Sequence, residues 1–206
     1  MDVAYVLYPN LTALDLVGPF EVLGCVPVVT PRFVARTLDP VRSDNGLTMV
    51  PTDTFDTLKS ADVVVVPGSG RWREVLRESA ELVAWLREVH STTKWTTSVC
   101  TGSTLLAEAG VVTRATTHWA ARDDLTARGV QACTDRVVFD GKVVTGAGVS
   151  AGIDMALQLV EREFGTAVAQ TVQVGIEYDP QPPHAYAQIP AEIEQNLRAL
   201  FAASPS

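Results

Sequence analysis

The sequence predicts an α/β fold in which helices cover both faces of a mainly parallel sheet. Short β-rich apolar runs alternate with segments of helical periodicity, which is the pattern of parallel strands joined by helical crossovers. The run of four valines at residues 63–66 is typical of a strand buried on both faces. The 206 residues fit one domain, 1–206, and 47% hydrophobic residues are ample for its core.

Local signals predict each element of the first half of the chain. A strand over residues 3–8 ends at Asn10, and Pro19 after Gly18 favours the start of a short helix over 19–25. Glycines after Val66 end the valine strand, and apolar spacing then predicts a helix over 72–90. The other strands are predicted at residues 33–38 and 95–99.

Glycines delimit the elements of the second half. A helix over residues 101–109 stops at Gly110, and another over 119–128 stops at Gly129. Asp140-Gly141 between two β-rich runs predicts a hairpin over 137–144 with a type I′ turn. The last helices are predicted at residues 153–164, 167–176 and 190–202.

Composition excludes several classes of function. A net charge of −8 without a basic cluster argues against a nucleic-acid partner. Apolar runs are too short to span a membrane, and Asp2 stands where a signal peptide carries a base, so a cytoplasmic protein is expected. No spacing suits a metal site, and no phosphate-binding glycine motif indicates a nucleotide, so we expect neither metal nor cofactor.

Chemistry is expected in three small-residue loops that follow strands, because ligands of such sheets bind at the carboxyl ends of the strands. The loops are residues 68–70, 100–102 and 146–148. Cys100 lies between a buried strand and a helix, where a sharp nucleophile elbow would present its side chain. The other two cysteines, Cys25 and Cys133, are interpreted as small buried hydrophobic residues.

The helix after Cys100 is expected to lower the pKa of the thiol, because helix N-termini stabilise anions. An ordinary thiol is about 3% ionised at pH 7, and a pKa near 6 would make it roughly 90% thiolate. The sequence therefore predicts a reactive thiolate at Cys100.

Several segments resemble the ThiJ/PfpI superfamily, a class I glutamine-amidotransferase-like, flavodoxin-like fold. The resemblance rests on the Pro67-Gly68 turn, the elbow and the small-residue bend at 146–148. Within the superfamily the chain is most similar to the isocyanide hydratases. The segments that carry this similarity are 14–19 (LDLVGP), 98–102 (SVCTG), 115–119 (ATTHW), 150–154 (SAGID) and 177–183 (EYDPQPP).

Two departures from the wider superfamily also favour a similarity to the isocyanide hydratases. Protease-like members carry His directly after the cysteine, where this chain has Thr101, and many members have Glu in the first loop, where this chain has Asp15. Isocyanide hydratases share both changes. The resemblance thus implies a cysteine-dependent hydro-lyase that adds water to a small neutral isocyanide through a Cys100 thioimidate.

The resemblance also suggests roles around the nucleophile. Asp15 would exchange protons with the thiol, substrate and water, and its alternative role is to shape the turn before Pro19. Thr101 would contact substrate or water. Backbone N–H groups of Gly68, Ser69 and Gly70 would form an oxyanion site, or the glycines would simply allow a tight turn.

Other polar and aromatic residues receive secondary roles. Glu21, the rival carboxylate, is interpreted as a helix-capping residue, and His118 as a supporting residue rather than a base. His90 and His184 are expected at the surface. Four aromatic residues are candidates for an apolar substrate pocket, although such rings more often belong to the core. They are Trp72, Trp119, Tyr178 and Tyr186.

Two alternative functions stay open. One is a non-catalytic or redox-sensing domain related to the sensor domains of AraC-type regulators. The sequence up to Ser206 contains no recognisable DNA-binding segment, which argues against this alternative. The other is a different cysteine chemistry, such as glyoxalase, deglycase or peptidase activity. By analogy with the superfamily a homodimer is expected, with residues 26–29 and the final helix as candidate contacts.

Overall fold

The structure, a computed structural model, describes residues 1–186 and 189–203, with side chains as far as residue 199. Its strands are β1 (Asp2–Val6), β2 (Thr30–Ala35), β3 (Val41–Arg42), β4 (Thr48–Met49), β5 (Asp53–Thr54), β6 (Val63–Val66), β7 (Trp95–Val99), β8 (Arg114–Thr116), β9 (Gln131–Cys133), β10 (Val137–Asp140) and β11 (Val143–Gly146). Its α-helices are α1 (Ala13–Gly24), α2 (Trp72–Glu78), α3 (Ala80–His90), α4 (Gly102–Glu108), α5 (Arg122–Thr126), α6 (Ala151–Phe164), α7 (Thr166–Gly175) and α8 (Ala191–Ala203).

A central sheet of seven strands organises the chain and confirms the α/β prediction. Its order is β10-β11-β7-β6-β1-β2-β5, with only the β10–β11 pair antiparallel. Every residue of β6, β7 and β11 is buried. The central strands are therefore covered on both faces, as the valine run predicts.

Helices pack in two groups around this sheet. Helix α1 packs against α6, which packs against α7, while α2 and α3 contact α4. The α1–α6 contact is close, since a Cβ atom added at Gly152 would lie 3.1 Å from Pro19 Cδ. None of the described helices combines the length and apolar character that a membrane crossing requires.

Helix α1 begins at Ala13, so the predicted start at Pro19 is wrong. The Thr12 N–H donates to the carbonyl of Gly68, which anchors the chain where the helix begins. Pro19 lies inside the helix, where packing against Gly152 offsets its poor fit. Glu21 is consequently an exposed mid-helix residue and caps nothing, contrary to the prediction.

Three other predicted elements differ in detail. The helix predicted over 72–90 is broken at Ser79, which has φ −104° and ψ 33°. The helix predicted over 119–128 is one 3₁₀ turn, Trp119–Ala121, followed by α5. In the hairpin Asp140 pairs with Val143, so the turn residues are Gly141 and Lys142, of which only Gly141 has positive φ, and the turn is not type I′.

Candidate active site

The three predicted loops meet at the carboxyl edge of the sheet, where α1 also begins. The N–H of Gly68 donates to Asp15 Oδ2 over 2.8 Å. The N–H of Cys100 donates to the carbonyl oxygens of Ala147 at 2.7 Å and Gly146 at 3.1 Å. The loop after β6, the elbow after β7 and the bend after β11 therefore surround one acid and one thiol.

Cys100 occupies the strained turn that the sequence predicts. Its φ is +58°, a left-handed conformation that L-residues rarely adopt. Both of its backbone polar groups are held, because its carbonyl accepts hydrogen bonds from Thr117 Oγ1 at 3.0 Å and Ser103 Oγ at 3.3 Å. Such surrounding bonds are what maintains a backbone in an unfavourable region.

The pKa of the Cys100 thiol is raised above its ordinary value, contrary to the expectation of a thiolate. The dominant cause is burial, since the residue is 4% exposed, and the negative charge of Asp15 adds to it. The N–H groups of Val149 and Thr101 hydrogen-bond to the sulfur and lower its pKa, but they do not outweigh burial. Burial therefore disfavours the thiolate form of Cys100.

Asp15 is fully buried, and burial raises its pKa to about 7. The Gly68 N–H and the Cys100 thiol both hydrogen-bond to the carboxyl group and lower its pKa, whereas the charge of Asp44 raises it. In the described part of the chain no N–H or O–H donor reaches the second oxygen, Oδ1. A buried acid and a buried thiol thus lie together, with a carboxyl that exchanges its proton near neutral pH.

Thr101 holds the neighbouring loop in place. Its hydroxyl donates to the Ser69 carbonyl at 3.0 Å and accepts the Ser69 N–H at 2.8 Å. The N–H groups of Gly68 and Ser69 therefore already donate to protein groups, and an oxyanion site formed by residues 68–70 stays a prediction. Gly70 is exposed, and within the described residues its N–H has no hydrogen-bond partner.

Trp119 packs against His118, with ring centroids 4.9 Å apart, and the guanidinium of Arg198 lies 4.6 Å from its ring centroid. The Nδ1 atom of His118 accepts the Ala120 N–H, and burial lowers the pKa of the imidazole. The ring of His118 also packs against Gly148. These contacts place both residues beside the 146–148 bend, and substrate binding by Trp119 stays a prediction.

The other aromatic candidates have different surroundings. The Trp72 indole donates to Asp124 on α5, and the Tyr178 hydroxyl donates to Asp154 on α6. Tyr186 is 72% exposed. The structure therefore does not gather these rings into one wall around the thiol.

The predicted exposure of the remaining cysteines and histidines is correct for two residues and wrong for the other two. Cys133 is buried as predicted, but Cys25 is exposed at the end of α1, where the short turn after the helix leaves it uncovered. His184 is exposed as predicted. His90 is half-buried, and its Nδ1 lies 2.8 Å from Thr96 Oγ1, because α3 ends beside β7.

Sequence reasoning missed two residues at the site. Tyr8 is buried, and its hydroxyl donates to the Pro67 carbonyl at 2.6 Å. Val149, with φ +22°, supplies an N–H to the Cys100 sulfur. The position of Tyr8 after the end of β1 was an available signal, whereas nothing in the sequence marks the strained backbone of Val149.

The described residues contain no group of three or more His, Cys, Asp or Glu side chains that could hold a metal ion. The thiol, the carboxyl and the backbone groups around them are the reactive groups at this edge of the sheet. A carboxyl with a pKa of about 7 can exchange a proton at neutral pH, and a thiol can act as a nucleophile once it is deprotonated.

Comparison with known proteins adds four relationships. The DJ-1/PfpI family matches residues 1–162. The isonitrile hydratase of Pseudomonas putida is 42% identical over 185 residues, which cover 89% of this chain and 81% of that protein. A solved ThiJ/PfpI family structure from Pseudomonas syringae has a TM-score of 0.93 and 37% identity, covering 98% of this chain and 86% of that one. The Pseudomonas aeruginosa transcriptional regulator CdhR is 32% identical, covering 79% of this chain and 53% of its own length.

Proposed function

Because the chain belongs to the DJ-1/PfpI family, we propose that it is an isocyanide hydratase, which converts R–N≡C and water into an N-substituted formamide. Similarity to an isonitrile hydratase over most of both chains supports this activity. The observation that carries the proposal is the buried pair of Cys100 and Asp15, whose thiol and carboxyl lie close enough to shift each other's pKa. A nucleophile beside a proton carrier is what addition to the isocyano carbon requires.

The first step forms a carbon–sulfur bond. The Cys100 sulfur attacks the terminal isocyano carbon as Asp15 accepts the thiol proton, and Asp15 then delivers that proton to the same carbon. The product is the thioimidate R–N=CH–S–Cys100, which contains every atom of the isocyanide and the thiol. Since the pKa of the thiol is raised, proton transfer to Asp15 accompanies the attack rather than preceding it.

The second step consumes water. Asp15 takes a proton from a water molecule as the water oxygen adds to the thioimidate carbon. Asp15 then delivers that proton to the nitrogen, which gives R–NH–CH(OH)–S–Cys100 and restores the carboxylate. Collapse of this intermediate breaks the carbon–sulfur bond, releases R–NH–CHO and returns the hydroxyl proton to the thiol by way of Asp15. A carboxyl pKa of about 7 suits both directions of transfer at neutral pH.

The surroundings of the pair favour a neutral substrate. The protein carries a net charge of −8, and the thiol and the carboxyl are both buried. A charged ligand would lose its hydration on entering such a site, whereas an uncharged isocyanide loses little. We therefore assign the substrate class as small neutral alkyl or aryl isocyanides.

The test is formamide production from phenyl isocyanide, followed by chromatography with wild-type protein, Cys100→Ala and the matched control Cys133→Ala. Wild type and Cys133→Ala should form the formamide, and Cys100→Ala should lose at least about a thousandfold in rate. Formamide production by Cys100→Ala at the wild-type rate would refute the proposed nucleophile. An inactive wild type that converts a 2-oxoaldehyde instead would assign the pair to another cysteine chemistry.

A further inference from the structure

We propose that Tyr8 is a positioning residue that tunes Asp15 through the peptide group joining Pro67 to Gly68. The Tyr8 hydroxyl donates to the Pro67 carbonyl oxygen at 2.6 Å. The N–H on the other side of that same peptide group donates to Asp15 Oδ2 at 2.8 Å. The inference rests on the proposed function in one respect, which is the role of Asp15 as proton carrier.

This peptide group is fixed on several sides. A Cβ atom added at Gly68 would lie 2.5 Å from the Thr101 nitrogen and 3.0 Å from Asp15 Oδ2, so the backbone approaches both closely. The following peptide group is also held, because the carbonyl of Gly68 accepts the Thr12 N–H at 2.8 Å. The peptide plane thus has little freedom to turn, and its N–H stays aimed at the carboxylate.

The two hydrogen bonds reinforce one another. Donation to a carbonyl oxygen polarises the peptide group and makes its N–H a stronger donor. The Gly68 N–H stabilises the ionised form of Asp15 and opposes the effect of burial on its pKa. Loss of the Tyr8 hydroxyl should therefore weaken the Gly68 donor and raise the pKa of Asp15 further.

Tyr8 keeps its proton over the working range of the site. Burial raises the pKa of its hydroxyl well above the ordinary value, and the charges of Asp15, Cys100 and Asp44 act in the same direction. The groups that act on Asp15 are the Cys100 thiol, the Asp44 carboxylate in the β3–β4 turn and the Gly68 N–H. Of these, only the Gly68 N–H is bonded to the peptide group that Tyr8 contacts.

A phenylalanine at position 8 isolates the hydroxyl. The Tyr8 side chain also lines a cavity of about 650 Å³ bounded by the ends of β1 and β2 and by α2 and α3. A smaller residue would open that cavity towards the site, whereas phenylalanine preserves the ring. Tyr5 provides a matched control, since it is fully buried in β1 and its hydroxyl has no hydrogen-bond partner among the described residues.

The experiment is a ¹³C NMR titration of aspartate-labelled protein, with the Asp15 carboxyl resonance assigned from its loss in Asp15→Asn. Tyr8→Phe should raise the Asp15 pKa by about half a unit, and Tyr5→Phe should leave it unchanged. The acidic limb of the kcat/KM pH profile should move in the same direction, because the ionised Asp15 is the base in the first step. An unchanged Asp15 pKa in a folded Tyr8→Phe protein would overturn the proposal.

A second measurement covers the case in which Tyr8→Phe does not fold. Replacing all tyrosines with 3-fluorotyrosine makes the Tyr8 hydroxyl a stronger donor without breaking its bond, so the Asp15 pKa should fall; no change would again refute the inference. Both readouts are independent of substrate. A shifted titration in a protein that makes no formamide would retain the role of Tyr8 and refute the proposed function. Formamide production with an unshifted titration would retain the proposed function and refute the role of Tyr8.

Discussion

The ionisation of Cys100 and Asp15 depends mainly on how deeply each side chain is buried. The thiol follows β7 at a helix N-terminus, a position that alone would favour the thiolate, yet its pKa is raised. Asp15 behaves in the same way, with a pKa of about 7 in place of the ordinary 3.8. The raised pKa values of the pair suit the proton transfer that we propose better than a permanent thiolate at Cys100.

Asp15→Asn should make protein stability less dependent on pH. A carboxyl whose folded pKa is raised stabilises the fold below its unfolded pKa, and this contribution is lost as pH rises through about 7. Between pH 5 and 8 the free energy of unfolding of wild type should therefore fall by about 2 to 3 kcal/mol more than that of the variant. Urea titrations at the two pH values measure the difference, and parallel losses in both proteins would contradict it.

Gly68→Ala should damage the site by contact with its neighbours. The added methyl would lie 2.5 Å from the Thr101 nitrogen and 2.6 Å from its hydroxyl oxygen, so the elbow or the loop must move. We expect a loss of about 1 to 3 kcal/mol in the free energy of unfolding, measured by urea denaturation. Gly70→Ala is the control, because its methyl would meet nothing within 4 Å; equal losses in both would argue against a steric cause.

Sequence patterns predict elements well where burial is uniform and poorly where distant segments intervene. Strands β6 and β7 have the predicted bounds, because continuous apolar or β-rich runs leave few alternatives. The start of α1 was missed because its anchor is the carbonyl of Gly68, far along the chain, and because packing on Gly152 compensates for Pro19. Local capping rules contain neither contact.

At the candidate site, too, the sequence predicts what chain connectivity determines and misses what contacts between distant segments determine. Each of the three loops follows a strand, so their meeting at one sheet edge is predictable from connectivity. The Cys100–Asp15 pairing came from family resemblance, and its proton affinity depends on burial that no local pattern reports. The position of Tyr8 after β1 could have placed it at this edge of the sheet, but its bond to the Pro67 carbonyl depends on a contact between distant segments that no local pattern reports.

Gly152→Ala tests the close crossing of α1 and α6. The methyl would lie 3.1 Å from both Pro19 Cδ on α1 and Val99 Cγ2 on β7, so these side chains must shift by a few tenths of an ångström. We expect destabilisation by about 1 to 3 kcal/mol, measured by thermal and urea denaturation. Gly24→Ala, at the end of α1 with nothing within 4 Å of the added atom, should be neutral or stabilising; a similar loss there would show that helix crossing is not the cause.

At the scale of the whole molecule, acidic charge and apolar surface coexist. The net charge is −8, while Val28 is 56% exposed and Ile193 and Leu197 on α8 are 45% and 41% exposed. Of the predicted contact segment 26–29, Val26 is buried and cannot take part. The exposed apolar side chains give a second copy of the chain a surface to cover.

We predict a homodimer in solution. Light scattering coupled to size-exclusion chromatography at micromolar concentration should give about twice the chain mass of 22.1 kDa. Replacing Leu197 with Glu should shift the mass towards the monomer if α8 contributes to the interface, with exposed Val174 on α7 as a matched substitution site. A monomer mass for the wild type would refute the prediction.

The hydrogen bond from the Val149 N–H to the Cys100 sulfur has a consequence for how the protein is made. During translation residue 100 leaves the ribosome well before residue 149, so for that interval the cysteine is an ordinary sulfhydryl without its eventual neighbours. Nascent or truncated chains that end before the bend after β11 should react with thiol reagents as small peptides do. We therefore expect this cysteine to become shielded only late in synthesis, once β11 can pair with β7.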